Sequence, residues 1–266
     1  MFAMNNGWRK RVVSYRSVSQ VKAYEDCPYR YYLERVEKVW QRPAAWLPMG
    51  TAVHSAIEEV ERSNRELPLE KAEEVFAESY AKEVNRYAEE TPNFEYWSWS
   101  GPYNGEKDIE RRFGVGKAQV GKYYEYMKKN PDDVIWIAPD GTPGIELGFN
   151  VELDGVKVRG YIDQVRSGKV VDVKTGNNPG DDFQLKVYSM ALEQMYGERF
   201  DQGTYWMGKT GKDTHPYDLT KVSDEEVYER FHKADDGINA GDFPATPDDE
   251  KCRRCSVNSS CPFAFQ

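Results

Sequence analysis

A chain of 266 residues with 39% hydrophobic and 14% aromatic content can bury a full core, which excludes wholesale disorder. Its net charge of −9 excludes a protein that coats duplex DNA through a broad basic footprint, while a narrow nucleic-acid groove stays open. No run approaches 18 apolar residues, and MFAMNNGWRKRVV has no apolar stretch behind its basic residues. Neither a membrane span nor a signal peptide is expected, and the cytoplasm is the expected location.

In chain order, Ser17 to Val36 reads as helix broken at Cys27-Pro28, where proline suits a new first turn better than a helix interior. Gly50 to Asn64 is a second helix and Leu69 to Glu90 a long charged third. Thr91 to Glu106 carries Pro, Gly, Asn and five aromatics and reads as a loop or lid. Lys107 to Asn130 is helix again, weakened by Gly114, Gly116 and Gly121. Strand patterns follow at Val134–Ala138, Ile145–Leu153, Val156–Arg166 and Lys169–Lys174, with hairpin turns at Asp154-Gly155 and Ser167-Gly168. A helix over Asp182–Tyr196, strands at Gly203–Met207 and His215–Leu219, and a helix over Ser223–Ala240 complete the pattern. The expectation is an α/β fold in one unit over 1–266. Residues 1–133 are mainly helical, 134–222 hold the sheet core, and 223–266 form a closing helix and cysteine segment.

The segment GYIDQVRSGKVVDVKTG, residues 160–176, is the most informative. Asp172 and Lys174 are two apart on a strand and leave one face, while Val171 and Val173 face the core. Pairing about Ser167-Gly168 brings Asp163 close to Asp172. Two carboxylates so placed repel, and a divalent cation relieves them. Phosphodiester hydrolysis with Mg²⁺ or Mn²⁺ fits, the lysine orienting water or neutralising the transition state. Taken alone, Asp-x-Lys is also an ordinary surface ion pair. His54, one of three histidines, lies on a helix behind Gly50 and is either an added ligand or a packing residue. Gln184 and Tyr188, four apart, share a helix face; they contact a phosphate and a base, or cap a buried interface.

Cys27 stands alone near the start, and Cys252, Cys255 and Cys261 crowd the end as C-x2-C-x5-C. Without a signal peptide, close cysteines point to metal more than to disulfides. Four thiolates suit zinc or an iron–sulfur cluster by count, although the spacing lacks the paired knuckles of a zinc ribbon. The basic runs Arg9–Arg11 and Lys251–Arg254 are DNA-contact candidates, as are Trp97 and Trp99, which either stack on unpaired bases or pack the loop on the core.

Six segments in order carry a resemblance: SVSQVKAYEDCPYRYYL at 17–33, GTAVHSAIE at 50–58, GYIDQV at 160–165, VVDVKTG at 170–176, QLKVY at 184–188 and CRRCSVNSSCP at 252–262. The chain resembles the RecB-like branch of the PD-(D/E)XK nucleases. Within it, the likeness is to the iron–sulfur subgroup that includes CRISPR-associated RecB-like exonucleases and the nuclease domain of AddB. The resemblance implies a restriction-endonuclease-like core. It implies that His54, Asp163, Asp172 and the Val173 carbonyl hold Mg²⁺ or Mn²⁺, with Lys174 the catalytic lysine. It implies DNA contact by Gln184 and Tyr188, and a 4Fe–4S cluster on Cys27, Cys252, Cys255 and Cys261. Residues 65–133 match no part of the family pattern. The expected function is a DNA exonuclease acting on single-stranded ends in recombination, repair, phage DNA processing or CRISPR adaptation. The alternative is a DNA-end binding partner within a larger recombination or spacer-acquisition complex.

Overall fold

A computed structural model describes residues 14–264. The first helix, α1 (Val18–Asp26), is capped by Ser17, whose hydroxyl accepts from the Gln20 N–H. It ends where Cys27 turns extended (φ −160°), and Pro28 opens the short α2 (Pro28–Tyr31), which runs on into a π-turn over Tyr32–Val36. Three longer helices follow: α3 (Trp46–Arg62), α4 (Leu69–Glu90) and α5 (Gly105–Lys129). The start of α3 lies four residues before the expected one, because Pro48 in a first turn has no helical N–H to lose. Gly116 does not weaken α5 idly: a Cβ there would lie 2.4 Å from the Phe76 ring of α4. The bare backbone is what lets the two helices meet.

The sheet begins with β1 (Ile145–Leu153), β2 (Val156–Arg166) and β3 (Lys169–Lys174), an antiparallel meander with its turns at Asp154-Gly155 and Ser167-Gly168. Helix α6 (Asp182–Tyr196) then crosses to β4 (Gln202–Met207), which pairs parallel to β3. Two-residue strands β5 (Lys212–Asp213) and β6 (Tyr217–Asp218) both pair with β4. Then come α7 (Asp224–Ala240) and the short α8 (Asp249–Arg254).

Two expected strands shrink. Residues 134–138 make only isolated bridges, Ile135 to Arg166 and Ile137 to Pro143, because a tight turn at Asp140-Gly141 and the missing N–H of Pro143 stop a ladder. The strand expected over His215–Leu219 is reduced to Tyr217–Asp218, since Pro216 cannot donate and Leu219 starts a 3-10 turn. The expected lid is no free flap. Ser98 bridges to Ala44, and Trp97 is fully buried with its indole N–H donated to the Thr91 carbonyl at 2.9 Å.

Cores form on both faces of the sheet. In the first, Val18, Val21, Phe149, Val158, Leu185 and Phe231 join α1, α6 and α7 to β1 and β2. In the second, Val53, Phe76 and Tyr123 from α3, α4 and α5 meet Val171, Val173 and Trp206 of β3 and β4. The result is a mixed α/β architecture with a central sheet between helices. No helix among the described residues is long and apolar enough to cross a membrane.

Candidate active site

Counting outward from the turn at Ser167-Gly168 places Asp163 opposite Asp172, in line with the observed pairs Arg166–Lys169 and Gln164–Val171. The strand does not stay regular there. Ile162 and Val165, three apart, both join the first core, whereas Gln164 turns to Tyr123 of α5. A regular strand would put residues three apart on opposite faces. β2 therefore changes its facing at Asp163. Across from it Glu146 holds φ 41°, a left-handed backbone that costs a non-glycine residue on the order of 1–3 kcal/mol. The kink frees the Asp163 carboxylate to accept the Val173 N–H at 2.7 Å, within the gap between β2 and β3.

His54 reaches this point from α3. Its Nδ1 lies 3.5 Å from Glu146 and 3.6 Å from Asp163, and its Nε2 is 3.0 Å from the Val173 carbonyl. A carbonyl only accepts, so Nε2 carries a proton. Burial works to lower the imidazole's pKa, but the charges of Asp163, Glu146 and Asp172 outweigh it and raise it to about 9. Burial, and then the charge of Asp172, push the Asp163 carboxyl upward. The His54 imidazole thus bridges a carbonyl and two carboxyl groups. His54, Glu146 and Asp163 place one donor atom each within 4.8 Å of one another, close enough to share an ion.

Asp172 sits beside this trio with different neighbours. Its Oδ1 accepts from the Gln184 amide at 2.6 Å and the Tyr188 hydroxyl at 3.3 Å, and its Oδ2 is 2.7 Å from the Lys174 ammonium. Gln184 also donates to the Tyr188 oxygen at 2.8 Å. Asp172 is only 2% exposed, so its pair with Lys174 is not the ordinary surface ion pair that Asp-x-Lys taken alone suggests. Tyr188 is likewise buried and presents no free ring face; it and Gln184 grip the carboxylate.

Glu146 was absent from the sequence reading, although a signal existed. Counting outward from the turn at Asp154-Gly155 puts residue 146 opposite Asp163, as the pairs Ile145–Gln164 and Leu147–Ile162 bear out. Of the other candidates, Trp99 is 47% exposed and Trp97 is not exposed at all. The run Arg9–Arg11 lies outside the described residues. In Lys251–Arg254, Lys251 pairs with Asp26 at 3.2 Å and Arg254 with Glu250 at 3.7 Å.

Cys27, Cys252, Cys255 and Cys261 line one small cavity, together with Arg30, Thr246 and Asn258. All four thiols are free. Burial pushes the Cys27 thiol up, but donors from Thr246 and Arg30 prevail and set it below the ordinary value; burial raises Cys255. Around the cavity the two ends of the chain are stitched together. Thr246 donates to the Asp26 carbonyl at 3.0 Å, Ser256 to Glu34 at 2.6 Å, and Arg42 N–H to the Ser256 carbonyl at 2.8 Å.

Residues 15–262 match the PD-(D/E)XK nuclease superfamily. The chain belongs to that superfamily. Two relatives resemble it along nearly their whole length. The Gene 69 protein of Mycobacterium phage D29 is 51% identical over 259 residues, covering 93% of this chain and 96% of the relative. The Gene 69 protein of Mycobacterium phage L5 is 47% identical over 284 residues, covering 95% and 98%. A solved structure titled "Crystal structure of SSO0001" aligns with 68% of this chain and 81% of that one, at 15% identity and a TM-score of 0.35. PD-(D/E)XK nucleases are metal-dependent, using Mg²⁺ or Mn²⁺, and the carboxylate–histidine group of β1, β2 and α3 is the kind of donor set such ions take.

Proposed function

We propose that this PD-(D/E)XK nuclease is a DNA exonuclease acting on single-stranded ends, with His54, Asp163, Asp172 and the Val173 carbonyl as ligands of Mg²⁺ or Mn²⁺. The observation that carries the reading is the position of His54. The His54 ring stands between the Val173 carbonyl and the carboxyl groups of Asp163 and Glu146, and one donor atom each from His54, Glu146 and Asp163 lies close enough to share a hard divalent ion. Glu146 joins the set as a further carboxylate. A bound metal would make a coordinated water more acidic and would supply positive charge beside the phosphorus. Lys174, held 2.7 Å from Asp172, offers its ammonium to the attacking water or to the charge that develops on phosphate. Gln184 and Tyr188 steady Asp172, so their link to DNA runs through that carboxylate.

The cysteine cavity is assigned a 4Fe–4S cluster with a structural role. Supporting this, four free thiols converge although 234 positions separate Cys27 from Cys261, and the donors around Cys27 favour its thiolate. The phage origin of both relatives favours processing of phage DNA ends as the setting.

Digestion of end-labelled single- and double-stranded DNA with Mg²⁺ and with Mn²⁺ tests the function. Mononucleotides or short products released from one labelled single-stranded end are expected, and Asp172→Asn abolishes them. DNA ends bound without any cleavage would instead make the chain a binding partner in a larger recombination or adaptation complex.

A further inference from the structure

We infer that Tyr161 is a stacking platform for an unpaired nucleobase beside the scissile phosphate, and that the open face of β1 and β2 carries a single strand of DNA. This rests on the nuclease reading above and specifies its substrate subsite. Tyr161 is 68% exposed, the most open of the large hydrophobic side chains among the described residues. Its cross-strand partner is Gly148, and a Cβ at that glycine would lie 3.3 Å from the Tyr161 ring. The Cε1–Cδ1 edge of the ring therefore rests against the bare backbone of Gly148, and the rest of the ring is open to solvent. Next along the same face come Asn150 and Arg159, paired with each other, and the Arg159 guanidinium stands 5.3 Å from the Tyr15 ring. These residues and Gln20 line one broad groove of about 910 Å³. An aromatic plate, a cation for phosphate and two amides for base edges are the groups a single-stranded nucleotide takes.

Tyr161 stands two positions before Asp163 on β2. At roughly 3.4 Å of rise per residue, Tyr161 lies about 7 Å along the hairpin from the Glu146–Asp163 pair. Bases in a duplex are already stacked and offer no face to the ring, so the platform serves unpaired ends only.

A tyrosine over a glycine also stabilises a hairpin by covering it, and that role must be separated. Leucine covers Gly148 but has no π face, whereas phenylalanine keeps both. With metal omitted, Tyr161→Leu should weaken binding of a single-stranded oligonucleotide about tenfold or more, with duplex binding and melting temperature unchanged. With metal present its KM rises by a similar factor while kcat holds, and Tyr161→Phe restores wild-type values. An abasic residue near the bound end should cost the wild type the same factor and cost Tyr161→Leu nothing further. Tyr161→Leu binding and cutting single strands like the wild type overturns the platform and leaves the nuclease reading standing. Equal loss on single strands and duplex, with a lowered melting temperature, also overturns it in favour of hairpin support. A wild type that cleaves no DNA defeats the nuclease reading itself, and the platform with it.

Discussion

Gln184 of α6 donates to Asp172 of β3 over 2.6 Å, so the crossover helix holds the buried carboxylate in place. Gln184→Ala should leave Asp172 free to rotate and lower both metal affinity and cleavage rate by about 10–100-fold, the usual cost of losing a group that orients a ligand. Metal titration of the cleavage rate measures both, and an unchanged titration contradicts the orienting role.

Asp172→Asn, Asp172→Ala and Lys174→Ala should each abolish cleavage, but with different costs in stability. Asp172→Ala leaves the Gln184 amide and Tyr188 hydroxyl buried without their acceptor, a loss of about 1–3 kcal/mol. Asn keeps the shape and one acceptor, so Asp172→Asn should melt near the wild type, whereas Lys174→Ala leaves the buried Asp172 carboxylate without its cation and should melt lower. Nuclease assays and thermal melts on the same preparations separate the effects.

His54 predicts a pH dependence. In metal-free protein its pKa of about 9 exceeds the ordinary 6.5, so the stability from its attraction to the carboxylates is complete below pH 6.5 and lost as pH rises through 9. Melting temperature in chelator should fall over that window, and His54→Gln should flatten the fall. A bound metal displaces the same proton, so metal affinity should climb as pH rises through that range.

Glu146→Gly removes a carboxylate and relieves a left-handed backbone at once. Metal affinity should fall while the melting temperature holds or rises. A variant that titrates metal like the wild type would confine Glu146 to shaping the kink.

The four cysteines should behave as one unit. Cys27→Ala and Cys261→Ala should lose the same iron and the same stability, since either leaves three ligands and releases the stitched ends. Iron analysis and melts decide, and full iron in the Cys27 variant contradicts the assignment.

The tryptophans divide by burial. Trp97→Ala should destabilise the fold by about 3–5 kcal/mol and affect single strands and duplex alike, while Trp99→Ala should leave the melting temperature unchanged. Selective loss of single-strand binding by the Trp97 variant would restore it as a DNA contact.

The sheet meander was legible because its two turns are spelled out as Asp-Gly and Ser-Gly, and turn position sets register. That alone brings Asp163 to Asp172, and the same counting reaches Glu146. His54 is different: 119 positions separate it from Val173, and no local pattern joins them, so only resemblance pointed there. The kink at Asp163 was not legible either, because it arises from a backbone angle on the neighbouring strand. Trp97 and Trp99, two apart in one aromatic loop, show the same limit. Which one is buried depends on contacts with Thr91 and the segment around Ala44 that composition does not encode.

The stitching of Asp26 and Glu34 to Thr246, Lys251 and Ser256 also orders events during synthesis. Cys252 leaves the ribosome 225 positions after Cys27, which at roughly 5–20 residues per second is on the order of 10–45 s. For that interval Cys27, Asp26 and Glu34 lack the cysteine segment they are stitched to, although α1 can already pack on the sheet. A truncated product, released before the last residues are made, keeps the acidic site yet lacks the clasp that holds its beginning.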